Sequence, residues 1–119
     1  MPEAKRRTPS KKPWGSSEVL FWNRGEGKVT VKILTVGPNS RLSLQLHRHR
    51  REFWFVLDGD AEATVGDGQR HLRPGQALRI PSGTVHRLGS SKGAKVLEVS
   101  TGEFSEDDIV RIEDDYGRA

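Results

Sequence analysis

Hydrophobic positions recur at every second residue in short runs, and glycine, proline, asparagine and aspartate separate the runs. GKVTVKILTV places Val29, Val31 and Ile33 at period two before GPNS interrupts it. RLSLQLH alternates again, with Leu42, Leu44 and Leu46 on one face and Ser43, Gln45 and His47 on the other. EFWFVLDG is a denser apolar run that ends in a turn at Asp58-Gly59, and AEATV leads into the hairpin signal GDGQ. GEG at Gly25 to Gly27 reads as another hairpin turn, and ALRIP and AKVLEVS as two further strands. Period two is the strand signature, because successive side chains leave an extended chain on opposite sides. Seven or eight short strands at this spacing predict an all-β sandwich or barrel. SEDDIVRIEDDYGRA departs from the pattern: Ser105 followed by acidic residues is a cap for a helix of at most one or two turns.

Composition narrows this picture. The chain of 119 residues suits one domain with a modest core. It has no cysteine, which excludes disulfides and thiolate metal sites. No apolar run reaches the roughly 18 residues of a spanning helix, and the basic start lacks a signal-peptide apolar stretch, so the expected location is the cytoplasm. The net charge of +4 suggests nucleic acid only until its distribution is read. Residues 1–12 carry five basic residues against Glu3, which accounts for the whole excess; 15 basic and 15 acidic residues remain elsewhere. The expected organisation is a solvated basic tail over 1–12 and a single domain over 13–119, with no specific nucleic-acid partner and no membrane.

The candidate chemistry lies in the histidines. His47 and His49 are two apart on a predicted strand, so their imidazoles are expected to point the same way. Glu52 follows the Arg50-Arg51 bend, and a hairpin there returns its carboxylate toward them. His86 follows the turn PSGTV. Three imidazoles and a carboxylate converging in a barrel form a site for one divalent metal ion, Zn²⁺, Mn²⁺, Fe²⁺, Ni²⁺ or Co²⁺. The competing reading is a set of ordinary strand histidines in a basic surface. GQALRIPSGTVHRLGS favours the site: Gly75 opens a strand, Pro81 ends it, and Gly83 allows a tight turn that returns His86 over the barrel mouth. His71 lies beside a hairpin and is expected at the surface.

At these residues the chain resembles the cupin superfamily, a double-stranded β-helix or jelly-roll barrel with a metal in its mouth. The second cupin motif is matched at Gly75, Pro81, Gly83 and His86, with Ser90 in place of its final asparagine. The first motif is matched at His47, His49, Glu52 and Gly59, with two residues between His49 and Glu52 and with Arg41 where a glycine is expected. More narrowly, KPWGSSEVL, SLQLHRHRREFW and EDDIVRIEDDYGR are similar to the type II mannose-6-phosphate isomerase domain, from about Pro13 to Arg118. That domain is often the C-terminal part of a bifunctional mannose-1-phosphate guanylyltransferase; here a stand-alone form is expected, since no Gly-rich nucleotide loop appears. The family's middle motif corresponds to Gln45, His47, Arg50, Glu52 and Trp54, with Phe53 where the family usually has histidine. Alternation turns Phe53 outward if Glu52 and Trp54 face in.

The resemblance implies a metal-dependent interconversion of mannose 6-phosphate and fructose 6-phosphate, supplying polysaccharide precursors. It implies His47, His49, Glu52 and His86 as metal ligands, with Glu52 and Arg111 taking part in catalysis. Gln45, Arg50, Arg79 and Trp54 would meet the sugar phosphate, the arginines because a guanidinium offers paired donors to phosphate. A homodimer is expected. Two alternatives stand beside this: a cupin that holds metal and a small molecule without turnover, and a different metal-cupin enzyme such as an oxygenase, against which the terminal motif counts. Trp14 and Trp22 are expected in core or interface, and the acidic residues of the terminal motif on a solvated face with Ile109 and Ile112 packed inward.

Overall fold

The computed structural model describes residues 8–23, 28–102 and 107–119, which form twelve strands and no helix. They are β1 (Ser10–Lys12), β2 (Gly15–Asn23), β3 (Val29–Val36), β4 (Ser40–Arg41), β5 (Leu44–Leu46), β6 (Arg50–Gly59), β7 (Ala61–Val65), β8 (Gly68–Leu72), β9 (Ala77–Ile80), β10 (His86–Ser90), β11 (Ala94–Gly102) and β12 (Val110–Glu113). One sheet runs β1-β2-β3-β11-β6-β9 and the other β12-β5-β10-β7-β8, with β4 also pairing β10. The count exceeds the seven or eight expected because several strands have only two to four residues, too few to show a period. No helix in the described residues is long and apolar enough to cross a membrane.

Two sequence expectations change here. Lys12, assigned to the tail, pairs through β1 with β2, as do Ser10 and Lys11; residues 1–7 lie outside the described residues. Where a short helix was expected, Val110–Glu113 form a strand against β5. The β-branched Ile109, Val110 and Ile112 favour extended backbone. Ile112 is exposed rather than packed inward. Ser105 and the turn at Gly25 to Gly27 lie outside the described residues.

The inner faces of the long strands are divided along their length, and this division makes the site. On β3 the buried Val36 and Leu34 give way to Lys32 and then Thr30 on the same face. On β11 Ala94 and Val96 give way to Glu98 and Ser100, and on β6 Val56 and Trp54 to Glu52. On β10 Leu88 gives way to His86. The apolar halves meet as one core, with Trp14, Leu42, Ala61, Ala63, Leu72 and Ile80. Registers align the polar halves: Glu52 is opposite Ser100, which is opposite Thr30, while Trp54 is opposite Glu98, which is opposite Lys32. One end of the barrel is therefore hydrocarbon and the other is a polar mouth.

Candidate metal centre in the barrel mouth

Three elements bring His47, Glu52 and His86 together. Alternation on β6 sends Glu52 and Trp54 inward and leaves Phe53 on the outer face, opposite Val99 and Arg79. Gly83, with φ +75°, closes the turn before β10 in a conformation that glycine adopts freely. Its N–H donates to the His47 carbonyl at 2.7 Å, which ties the two histidine segments to each other. His47 follows the end of β5, where residues 47–49 bend instead of continuing the strand. The Asp108 carboxylate holds that bend by accepting from the N–H groups of Arg48 and His49, both at 2.9 Å.

The donor atoms are oriented for a cation. His47 Nδ1 lies 2.6 Å from the Asp108 carbonyl and His86 Nδ1 lies 2.8 Å from the Thr84 carbonyl. A carbonyl can only accept, so each Nδ1 carries the proton and each Nε2 presents its lone pair. Both Nε2 atoms face one oxygen, Glu52 Oε1, at 3.1 Å and 2.9 Å. Glu52 Oε1 and His86 Nε2 are buried without a hydrogen-bond partner. Lone-pair atoms converging this closely repel unless a proton or metal ion lies among them, and two imidazoles with a carboxylate suit a first-row divalent ion. These three residues form a group that could hold such an ion. The Arg50 guanidinium, 3.0 Å from His47 Nε2, brings a positive charge to the same lone pair.

A second carboxylate lies beside the first. Glu98 accepts from Trp54 Nε1 at 2.9 Å, and the Trp54 ring meets the His86 ring edge-on with centroids 5.7 Å apart. Burial, and next the charge of Glu52, push the Glu98 carboxyl well above its ordinary value of 4.5. Burial also opposes the charge of Glu52, but in the ion-free site a proton on the Nε2 atoms of His47 and His86 turns them into donors to the carboxylate, and these hydrogen bonds outweigh burial and hold Glu52 well below its ordinary range. Because Glu98's folded pKa is raised, the folded chain keeps a proton that the unfolded chain releases above about 4.5; the contribution is complete below that pH and is lost as pH rises through the folded pKa. Glu98→Gln should therefore stabilise the metal-free protein near pH 7 by on the order of 1–3 kcal/mol and remove the fall in stability as pH rises above about 4.5, read from urea unfolding across pH.

Around these groups is a cavity of about 100 Å³ lined by Gln45, His47, Arg50, Glu52, Glu98 and Arg111, with Lys12, Lys32 and Arg118 adding positive charge. Gln45, Arg50, Glu52 and Arg111 thus stand where the sequence placed them. Trp54 lies behind His86, 1% exposed, as a support rather than a wall. Two further residues lie away from the mouth. His49 is exposed and outside the cluster, because the strand alternation meant to align it with His47 stops at Leu46. Arg79 is exposed on the outer face, since its neighbour Ile80 takes the inward phase of β9. Glu98, Lys12, Lys32 and Arg118 were missed. For Glu98 and Lys32 a signal existed, each standing in phase with buried neighbours, Val96 and Leu34.

The terminal segment is bonded rather than merely solvated. Arg118 forks onto Asp114 at 2.7 and 3.0 Å and holds its pKa down to about 2, and Arg41 forks onto Asp115 at 2.6 and 2.9 Å. A larger open trench of about 710 Å³ lies on the other sheet and contains His71, which is 3.4 Å from Asp60 and half exposed. Its charges include the Arg41–Asp115 and His71–Asp60 pairs, and no cluster of inward lone pairs faces it. The chemistry belongs to the mouth.

The two sheets closed over a polar mouth define a cupin barrel. The capsular polysaccharide assembling protein CapF from Staphylococcus aureus shares this fold over 92% of the present chain and 35% of its own, with a TM-score of 0.79 at 13% identity. The narrower relationship comes from sequence: the family model described as mannose-6-phosphate isomerase C-terminal matches residues 2–114, and the chain belongs to that family. The alginate biosynthesis protein AlgA of Pseudomonas aeruginosa is 42% identical over 110 residues, covering 90% of this chain and 22% of AlgA. A mannose-1-phosphate guanylyltransferase of Klebsiella pneumoniae is 37% identical over 119 residues, covering 98% of this chain and 25% of that protein. The chain spans about a quarter of the length of these relatives.

Proposed function

We propose that this domain is a metal-dependent aldose–ketose isomerase acting on mannose 6-phosphate and fructose 6-phosphate. The observation that carries the reading is the mouth itself: two Nε2 atoms and Glu52 Oε1 converge at the floor, and Arg50, Arg111, Lys12 and Lys32 line the opening. His47, Glu52 and His86 would hold the ion. A divalent ion bound there supplies Lewis-acid polarisation of a carbonyl. In this reading the carbonyl end of the sugar enters the cavity toward His47, Glu52 and His86, and the phosphate stays among the cations that line it. The carboxylates lining the cavity are Glu52 and Glu98, so proton transfer between C1 and C2 falls to this pair. Phe53 touches none of this, being on the outer face, so a histidine is not missing from the mouth. Work on phosphorylated sugars fits a cytoplasmic location.

The test is an assay of metal-free protein reloaded with Mn²⁺, Co²⁺, Zn²⁺, Fe²⁺ or Ni²⁺, supplied with mannose 6-phosphate and followed for fructose 6-phosphate. Turnover with at least one ion is the expected result. Stoichiometric ion uptake with no turnover would leave a binding module instead. Arg111, whose buried Nε has no hydrogen-bond partner, is assigned to the phosphate. Arg111→Ala should raise KM roughly 10- to 100-fold and leave kcat within a few-fold, which steady-state kinetics would read.

The same reading includes a homodimer through the outer face of the first sheet. Phe21, Val31, Val99 and Phe53 stand in one cross-strand row there, and Ile33, Leu97 and Phe55 in the next. Phe21 is 53% exposed and Leu57 41% exposed, and a run of apolar side chains on one sheet face favours burial against a second copy. Light scattering should return twice the chain mass, and Phe53→Asp should return the single mass with the ion still bound.

A further inference from the structure

We infer that Trp22 is a substrate-binding residue at the rim of the mouth, its indole lying against the C–H-bearing face of the sugar; the inference rests on the isomerase reading proposed above. A β-bulge puts the ring there. On β2, Ser17 is opposite Leu34 and Val19 is opposite Lys32, both in the inward phase, so unbroken alternation would turn Trp22 outward. The register shifts between Val19 and Phe21, and Leu20 takes the extra place. Phe21 then falls opposite Val31 on the outer face, and Trp22 falls opposite Thr30. Thr30 is opposite Ser100 and Ser100 is opposite Glu52, so Trp22 ends the inward row that begins at a residue of the metal centre. One extra residue in a strand flips the phase of everything after it, and bulges at barrel rims re-aim a side chain in this way.

Exposure sets Trp22 apart from the other tryptophans. Trp14 and Trp54 belong to the core, at 6% and 1% exposed. Trp22, expected in core or interface, is 55% exposed although its row is an inward one. Val19, beside it on the same face of β2, is 37% exposed, whereas Ser17 further along that face is buried. An indole left half in water on an inward row forgoes the burial that the fold gives to its neighbours, and a ligand that covers it recovers that burial.

The surroundings define what that ligand is. Val19 is paired with Lys32, and Lys32 lines the cavity with Lys12, Arg50 and Arg111, so the apolar wall of Val19 and Trp22 adjoins the cations. A bare anion satisfies the cations and offers nothing to an indole. A sugar phosphate satisfies both, with its phosphate on the cations and its C–H face on the ring. Glu52 and Trp22 are three strand spacings apart, about 14 Å along the sheet before its curl brings the inward side chains nearer. One ion cannot touch both; a sugar phosphate with its carbonyl end at the metal centre extends toward Trp22 with the rest of its carbon chain.

Of the three tryptophans only Trp22 is exposed, so acrylamide quenching of the intrinsic fluorescence reports on it directly. The experiment measures that quenching in ion-loaded wild type with mannose 6-phosphate and, separately, with inorganic phosphate, and carries W22A and W22F through the coupled assay. Mannose 6-phosphate is expected to lower the quenching constant at least about 2-fold, and inorganic phosphate to leave it unchanged. W22A should raise KM about 2- to 10-fold with kcat within about 2-fold, and W22F should recover most of the loss. Turnover of mannose 6-phosphate without protection of the fluorescence would overturn the role of Trp22 and leave the isomerase reading standing. Equal protection by inorganic phosphate would also overturn that role, since phosphate has no sugar face to lay on the ring. Protection without turnover would uphold Trp22 as a binding residue and overturn the isomerase reading alone. Neither protection nor turnover would overturn both. If W22A fails to fold, the quenching of the wild type decides.

Discussion

His86→Ala should remove stoichiometric ion binding and, with it, turnover. His86 contributes one of two imidazole donors, and its ring is fixed from both sides, by the Thr84 carbonyl on Nδ1 and by the edge of Trp54. It is 1% exposed, so no other side chain from solvent replaces it. Removing it leaves His47 and Glu52, too few donors for a first-row ion at ordinary concentrations. Carbonyl polarisation contributes several kcal/mol to such a reaction, so kcat/KM should fall on the order of 10³-fold or more. Elemental analysis after dialysis and the coupled assay read the two effects separately. An unchanged ion content in the variant would mean that the centre lies elsewhere.

Trp54→Ala should carry the largest loss of stability. Trp54 is among the largest fully buried side chains, between the core residue Val56 and the site residue Glu52 on one strand face. Truncation of a buried tryptophan costs about 3–5 kcal/mol through lost burial and the cavity it leaves. A second cost follows, because Glu98 loses the N–H that it accepts from. Against a total stability of about 5–15 kcal/mol the variant stands near the threshold of folding. Trp54→Phe is the milder change: it keeps an aromatic ring in the core but loses the N–H and part of the indole volume, for about 1–3 kcal/mol. Urea unfolding of the metal-free proteins would rank them wild type, Phe, Ala.

The fold was largely legible because strands of five or more residues announce themselves by period two and by turn residues such as Asp58-Gly59. The short strands were not, since β4 has two residues and β5 three, and each exists only through its neighbours. His86 and Glu52 were legible because their motif spacing encodes a turn and an inward strand phase. His49 was misplaced because alternation was carried one residue pair too far; the bend that ends it depends on Asp108, about sixty positions away. Arg79 could have been set aside from the inward phase of Ile80. Glu98 and Lys32 stand in phase with Val96 and Leu34, but that signal competes with a rule that usually holds, that a charge in a strand marks the solvent side. In this barrel the rule inverts over half of each inner face, and only the assembled registers show where the inversion begins.

The bond from His47 to the Asp108 carbonyl joins positions 61 residues apart and makes the metal centre and the terminal strand one linked system. With the segment from Asp107 undocked from β5, the bend at 47–49 is uncapped and the imidazole of His47 can present either nitrogen. An ion that requires the Nε2 arrangement therefore favours the seated β12 by the same free energy with which the seated strand favours the ion.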